Sequence, residues 1–65
     1  MNLQEWRAYL VRVVESLDRH IAYFANGGMI WPIGQDAIAA TAAFHRRLVK
    51  DREDHASWLA MLPAE

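Results

Sequence analysis

Residues 3–28 read LQEWRAYLVRVVESLDRHIAYFANGG, and this stretch decides the fold. Apolar side chains recur at Leu3, Trp6, Leu10, Val13, Val14, Leu17, Ile21 and Phe24. The steps are three or four residues, the signature of one helical stripe. Glu5, Ala8, Arg12, Glu15, Arg19 and Ala22 fall opposite and read as a solvated face, with Glu15 and Arg19 spaced as an i,i+4 pair. Asn2 and Glu5 have the spacing of a capping box, in which Glu5 reaches back to the cap backbone. Asn26-Gly27-Gly28 stops the helix, because glycine enters the left-handed conformation without a Cβ penalty. A helix over about 3–26 follows, roughly 36 Å long.

Downstream, Gly27 to Gly34 forms a loop of unusual composition, carrying Met29, Ile30, Trp31, Pro32 and Ile33. A second helix begins between Pro32 and Asp36 and is predicted over about 35–62. Ala37 to Ala43 is rich in alanine, the best helix former. Apolar positions continue through Ile38, Thr41, Phe44, Leu48, Val49, Trp58, Leu59 and Leu62, and Pro63 closes the segment. Lys50-Asp51-Arg52-Glu53-Asp54 is a run of charge that one helix cannot turn wholly away from its stripe. A continuous helix is the simpler expectation. The alternative is a break near Asp51 and a short third helix carrying Trp58 and Leu62.

The fold class is therefore all-α, an antiparallel helical hairpin in a single domain spanning 1–65. A chain this short supplies only about 3–5 kcal/mol from its own core. It contains no cysteine, which excludes disulfides and thiolate metal sites as staples. One hairpin leaves Trp6, Trp31 and Trp58 poorly covered, so a homodimer packed as a four-helix bundle is expected. At 54% hydrophobic residues the chain is too apolar to be disordered. Its net charge of −1 offers no global attraction to nucleic acid or anionic lipid. The residues Met1 to Glu5 lack the order of a signal peptide, no apolar run is long enough for a membrane span, and a cytoplasmic location is expected.

Charge is distributed very unevenly. From His20 to His45 the only charged residue is Asp36. In a hairpin this makes one end almost uncharged, with Ile21, Tyr23, Phe24, Met29, Ile30, Trp31, Ile33 and Ile38 gathered there. Either Met29, Ile30 and Trp31 fold back to cap the hairpin's own core, or they form an interface; shallow membrane insertion lacks flanking basic residues. Tyr9 and Tyr23 stand two heptads apart beside the main stripe, with Ser16 between them, and read as core edge or as a contacting ridge.

Chemistry finds no carrier. Asp54, His55 and Ser57 have the residue types of a triad, but close neighbours on a helix point in different directions. His20, His45 and His55 lack metal-ligand spacing, so no metal and no cofactor is expected, and no catalytic residue is assigned. The expectation is a non-catalytic module that binds another protein through Tyr23, Met29, Ile30, Trp31 and Trp58, as an inhibitor or adaptor. Small inhibitors encoded by phages and mobile elements share this size and lack of catalytic groups, a class analogy only. The alternatives are a dimeric DNA-binding regulator using Arg46, Arg47 and Lys50 within the basic cluster 45–52, and a structural subunit whose only partner is itself. Asp51, Glu53 and Asp54 interleave with that cluster, and Arg47–Asp51 and Lys50–Asp54 are spaced to neutralise it.

Overall fold

A computed structural model describes residues 2–31, 34 and 36–63. Pro32 and Ile33 of the apolar loop, and the expected helix start at residue 35, lie outside the described residues. The chain forms two helices that pack against each other, α1 (Leu3–Ala25) and α2 (Ala37–Met61). Among the described residues there is no strand.

The ends of α1 are set by local chemistry. Asn2 is extended, and its Oδ1 accepts the Glu5 backbone N–H at 2.8 Å. The Glu5 carboxylate meets the Asn2 side-chain amide at 3.3 Å, in place of the expected reach to the cap backbone. At the other end Gly27 takes φ +94°. Its N–H donates to the Phe24 carbonyl at 3.1 Å, and the Gly28 N–H donates to Tyr23 at 2.9 Å. These two bonds are the Schellman arrangement, which satisfies carbonyls the helix leaves open. A Cβ on Gly28 would meet the Tyr23 ring, so the second glycine lets that ring lie close against the turn.

α2 starts two residues later than expected, because Asp36 caps it. The Asp36 Oδ1 accepts the N–H groups of Ile38 at 2.9 Å and Ala39 at 3.2 Å. The helix then runs unbroken through the charged segment to Met61, so no third helix forms. Three of the five charges find partners. The Lys50 ammonium donates to Asp54 Oδ1 on the same helix at 2.8 Å, and Arg52 Nε crosses to Asp18 Oδ1 on α1 at 3.0 Å. Meanwhile Leu48, His55 and Leu59 carry the inner stripe past them. Arg47–Asp51 and Glu15–Arg19, both expected pairs, are not ion pairs of the described residues.

The core is very small. Leu10 is fully buried and Leu48 is 9% exposed; no other described residue is buried to that degree. Leu3, Val14, Leu17, Ile21 and Phe24 of α1, and Ala37, Thr41, His45, Leu59 and Leu62 of α2, are half-buried along the same seam. The molecule measures 48 × 21 × 14 Å, a slab one helix thick. Its radius of gyration is 14.7 Å, against about 11 Å for a compact domain of this length. Its accessible surface is 4879 Å², against about 4,250 Å² for a folded monomer of this mass. A two-helix layer has an inside only along one line, and the apolar side chains beyond that line stay exposed.

Candidate partner-binding surfaces

The uncharged tip divides into a fixed part and a projecting part. Ile30 donates its N–H to Thr41 Oγ1 at 3.0 Å, and the Thr41 hydroxyl faces the Ile30 carbonyl at 3.4 Å. The Tyr23 hydroxyl donates to the Met29 carbonyl at 3.4 Å. Met29 and Ile30 are half-buried as a result, which is the folding-back expected of a cap. Beneath them Phe24 packs edge-on against Tyr23 and Phe44, with ring centroids 5.0 and 5.6 Å apart, and stacks with the His45 imidazole at 6.0 Å. Trp31 escapes this arrangement and is 77% exposed, and Ile38, in the first turn of α2, is 74% exposed. Tyr23 presents more than half of its surface.

Trp58 belongs to the opposite end, nearly a helix length away. There Trp6 stacks on Tyr9 with centroids 5.3 Å apart and planes 6° from parallel. Trp58 leans on the His55 ring at 4.8 Å. Trp6, Trp58 and Met61 line an open apolar cleft of about 420 Å³. The Arg7 guanidinium donates to the Pro63 carbonyl beside it. The five residues named from sequence thus fall into two surfaces, four at the tip and one at the open end. Sequence reasoning left Met61 out of the second surface; its signal was the spacing Trp58 to Met61, which puts both on one side of α2.

The basic cluster does not present a uniform face. Asp54 hydrogen-bonds the Lys50 ammonium, and that bond with its charge, helped by Glu53 and Asp51, holds the amine above its ordinary value of 10.5. Arg52 is engaged by Asp18. Arg46 and Arg47 are exposed, but consecutive helical residues project about 100° apart. The triad-like residues are also directed elsewhere: His55 Nδ1 donates to the Asp51 carbonyl at 2.6 Å, and Asp54 serves Lys50. His20 Nδ1 donates to the Ser16 carbonyl at 2.7 Å. Among the described residues no group of His, Asp or Glu is arranged to hold a metal ion, and no helix is long and apolar enough to cross a membrane.

The fold and these surfaces define a class, a two-helix all-α hairpin with exposed aromatic ends. Compared with known protein families, with curated proteins and with solved structures, the chain matches none.

Proposed function

We propose that this hairpin is a small, non-catalytic protein–protein interaction module of the cytoplasm, an inhibitor or adaptor that offers its tip to a larger protein. The observation that carries the reading is the pair Trp31 and Ile38, each more than 70% exposed on a segment pinned from behind by the Ile30–Thr41 hydrogen bonds. Side chains that project from a fixed backbone lose little freedom on docking. Asp36 is the only charge between His20 and His45, so little charge is desolvated when the tip is covered. Tryptophan is also the residue most enriched among interface hot spots. The neutralisation of Lys50 and Arg52 by Asp54 and Asp18 argues against a nucleic-acid surface at 45–52.

The test uses a double variant, Trp31→Ser with Ile38→Ser. Ile30 is left alone because its backbone and half-buried side chain belong to the fold. Proteins captured by the wild type and lost by the variant are purified, and their affinities for both are measured. The expected outcome is a loss of about a hundredfold or more, from two hot-spot positions, with helicity by circular dichroism unchanged. Equal affinity for wild type and variant would sink the tip as the working surface.

A further inference from the structure

α1 carries two apolar seams. The first is Leu3, Arg7, Leu10, Val14, Leu17, Ile21 and Phe24, in steps of four and three, and it faces α2; every member is buried or half-buried. The second is Trp6, Tyr9, Val13, Ser16, His20 and Tyr23, in steps of three and four. Its four ring-bearing members are exposed. Both have the 3.5-residue period of a coiled-coil seam, and they are offset by about a quarter turn around the helix. A helix with two such seams has the pattern of a bundle helix with two neighbours. In the hairpin α1 has one neighbour.

The second seam is uncharged over its whole length. Of the α1 charges, Glu5, Arg12 and Arg19 each stand three or four residues from a seam member and border the seam on the side away from α2, and Glu15 lies further round. By register, Arg47, Asp51 and Asp54 of α2 flank the same face, as the polar rim of an interface does. The broad face of the 48 × 21 Å slab, on the order of 1,000 Å² across both helices, is large enough for a standard interface of roughly 800 Å² per partner only where the contact reaches past the α1 seam onto the neighbouring edge of α2.

The order of residues along the seam selects the occupant. Rings stand at both ends, Trp6 and Tyr9 at one and His20 and Tyr23 at the other, with the smaller Val13 and Ser16 in the middle. Reversed, the seam reads almost the same. A two-fold interface requires a patch complementary to itself, which this is. Antiparallel pairing about a point between Val13 and Ser16 sets Trp6 of one copy against Tyr23 of the other, Tyr9 against His20, and Val13 against Ser16. The open cleft between Trp6, Trp58 and Met61 would then receive the other copy's Tyr23 end.

We infer that the protein is a two-fold homodimer in which the second seam of α1 packs antiparallel on the same seam of a second copy. This rests on the seam alone and includes neither Trp31 nor Ile38, so it stands or falls apart from the tip reading. Sedimentation from micromolar to millimolar chain is expected to give the mass of two chains. Tyr9→Glu is expected to raise the dimer dissociation constant by roughly thirtyfold or more, with helicity retained. Because the chain has no cysteine, single thiols report the arrangement directly. Mixed in equal parts, Val13→Cys and Ser16→Cys chains, whose thiols the register sets opposite each other, are expected to form a disulfide-linked dimer in air, and Ala8→Cys, on another side of α1, is not. A single-chain mass across the range would overturn the inference, as would a dimer indifferent to Tyr9→Glu, or Ala8→Cys linking as fast as that mixture. The Trp31→Ser/Ile38→Ser variant is expected to remain dimeric; if it alone becomes monomeric, the interface is at the tip and the seam assignment is wrong.

Discussion

The two ends of the hairpin are both rich in rings, yet they are held together differently. At the tip, main chain and side chain are tied by directional bonds: the Schellman pair at Gly27 and Gly28, the Tyr23–Met29 contact, and Thr41 gripping both polar atoms of Ile30. At the open end Trp6 stacks on Tyr9 and Trp58 leans tilted on His55 around an open cleft, with the Arg7–Pro63 hydrogen bond beside it. Directional bonds fix a geometry within one chain. Stacked rings around a hole define a shape that a further surface can complete. The difference teaches that exposure alone does not say what an apolar residue is for, and that what stands behind it does.

The largest expected effect breaks the open half of the molecule. Leu10 is the one fully buried side chain among the described residues, and Leu10→Ala removes it from a core with almost no redundancy. A loss of about 3 kcal/mol is expected. That approaches everything a chain of this size can draw from its own core. Urea titration followed by circular dichroism, at one fixed chain concentration, measures it. Tryptophan fluorescence should shift red with Trp6 and Trp58 losing their neighbours. A loss under about 1 kcal/mol would mean the open end is not held by the inner seam at all.

The architecture was legible in the sequence because the signals were local. Spacing sets the α1 stripe, Asn2 its cap, and Gly27 with Gly28 its stop; Asp36 marks the start of α2, though as the cap and not as a residue of the first turn. All of these depend on contacts within a few residues. Across Lys50 to Asp54 the continuous helix is the simpler expectation and is what forms; the contact of Arg52 with Asp18, thirty-four residues away, is what no local pattern announces. The sequence treats Met29, Ile30 and Trp31 together, as a cap or as an interface, but Thr41 draws Ile30 inward and leaves Trp31 out. A threonine eleven residues downstream carries no sign of that role. Trp58 was grouped with the tip by residue type alone; only the hairpin's length separates them. Tyr9, Ser16 and Tyr23 read from sequence as core edge or ridge, and their continuation through Trp6, Val13 and His20 becomes meaningful only once α2 is known to occupy the other seam.

Thr41→Val sharpens the comparison from the tip side. The two side chains have nearly the same shape, so the change removes the hydroxyl and little else. It leaves the part-buried Ile30 N–H without its acceptor at 3.0 Å. The cost of orphaning one buried donor is about 1–2 kcal/mol. Faster amide exchange at Ile30 and Met29, with Trp6 and Trp58 fluorescence unchanged, is the expected outcome. Exchange that accelerates equally in both ends would show that the two ends unfold as one unit.

The smallest effect tests whether the ends communicate through the middle. Asp18 and Arg52 form an ion pair between the two helices, at 3.0 Å, with side chains 52% and 42% exposed. Water screens such a pair, and roughly 0.5 kcal/mol is expected on Asp18→Asn. Because the asparagine carbonyl can still accept from Arg52 Nε, the loss isolates the charge and not the hydrogen bond. The difference from wild type should therefore vanish at molar salt, where the screening length falls to about 3 Å. Lys50–Asp54 makes an instructive contrast, since it lies within α2 and its lysine is open to solvent. Removing that pair leaves every contact between the helices in place. If Asp18→Asn and Asp54→Asn prove equally costly at low salt, then the charge across the seam adds nothing beyond an ordinary surface pair. Helix pairing would then depend wholly on the Leu10–Leu48 line and whatever covers the outer seam.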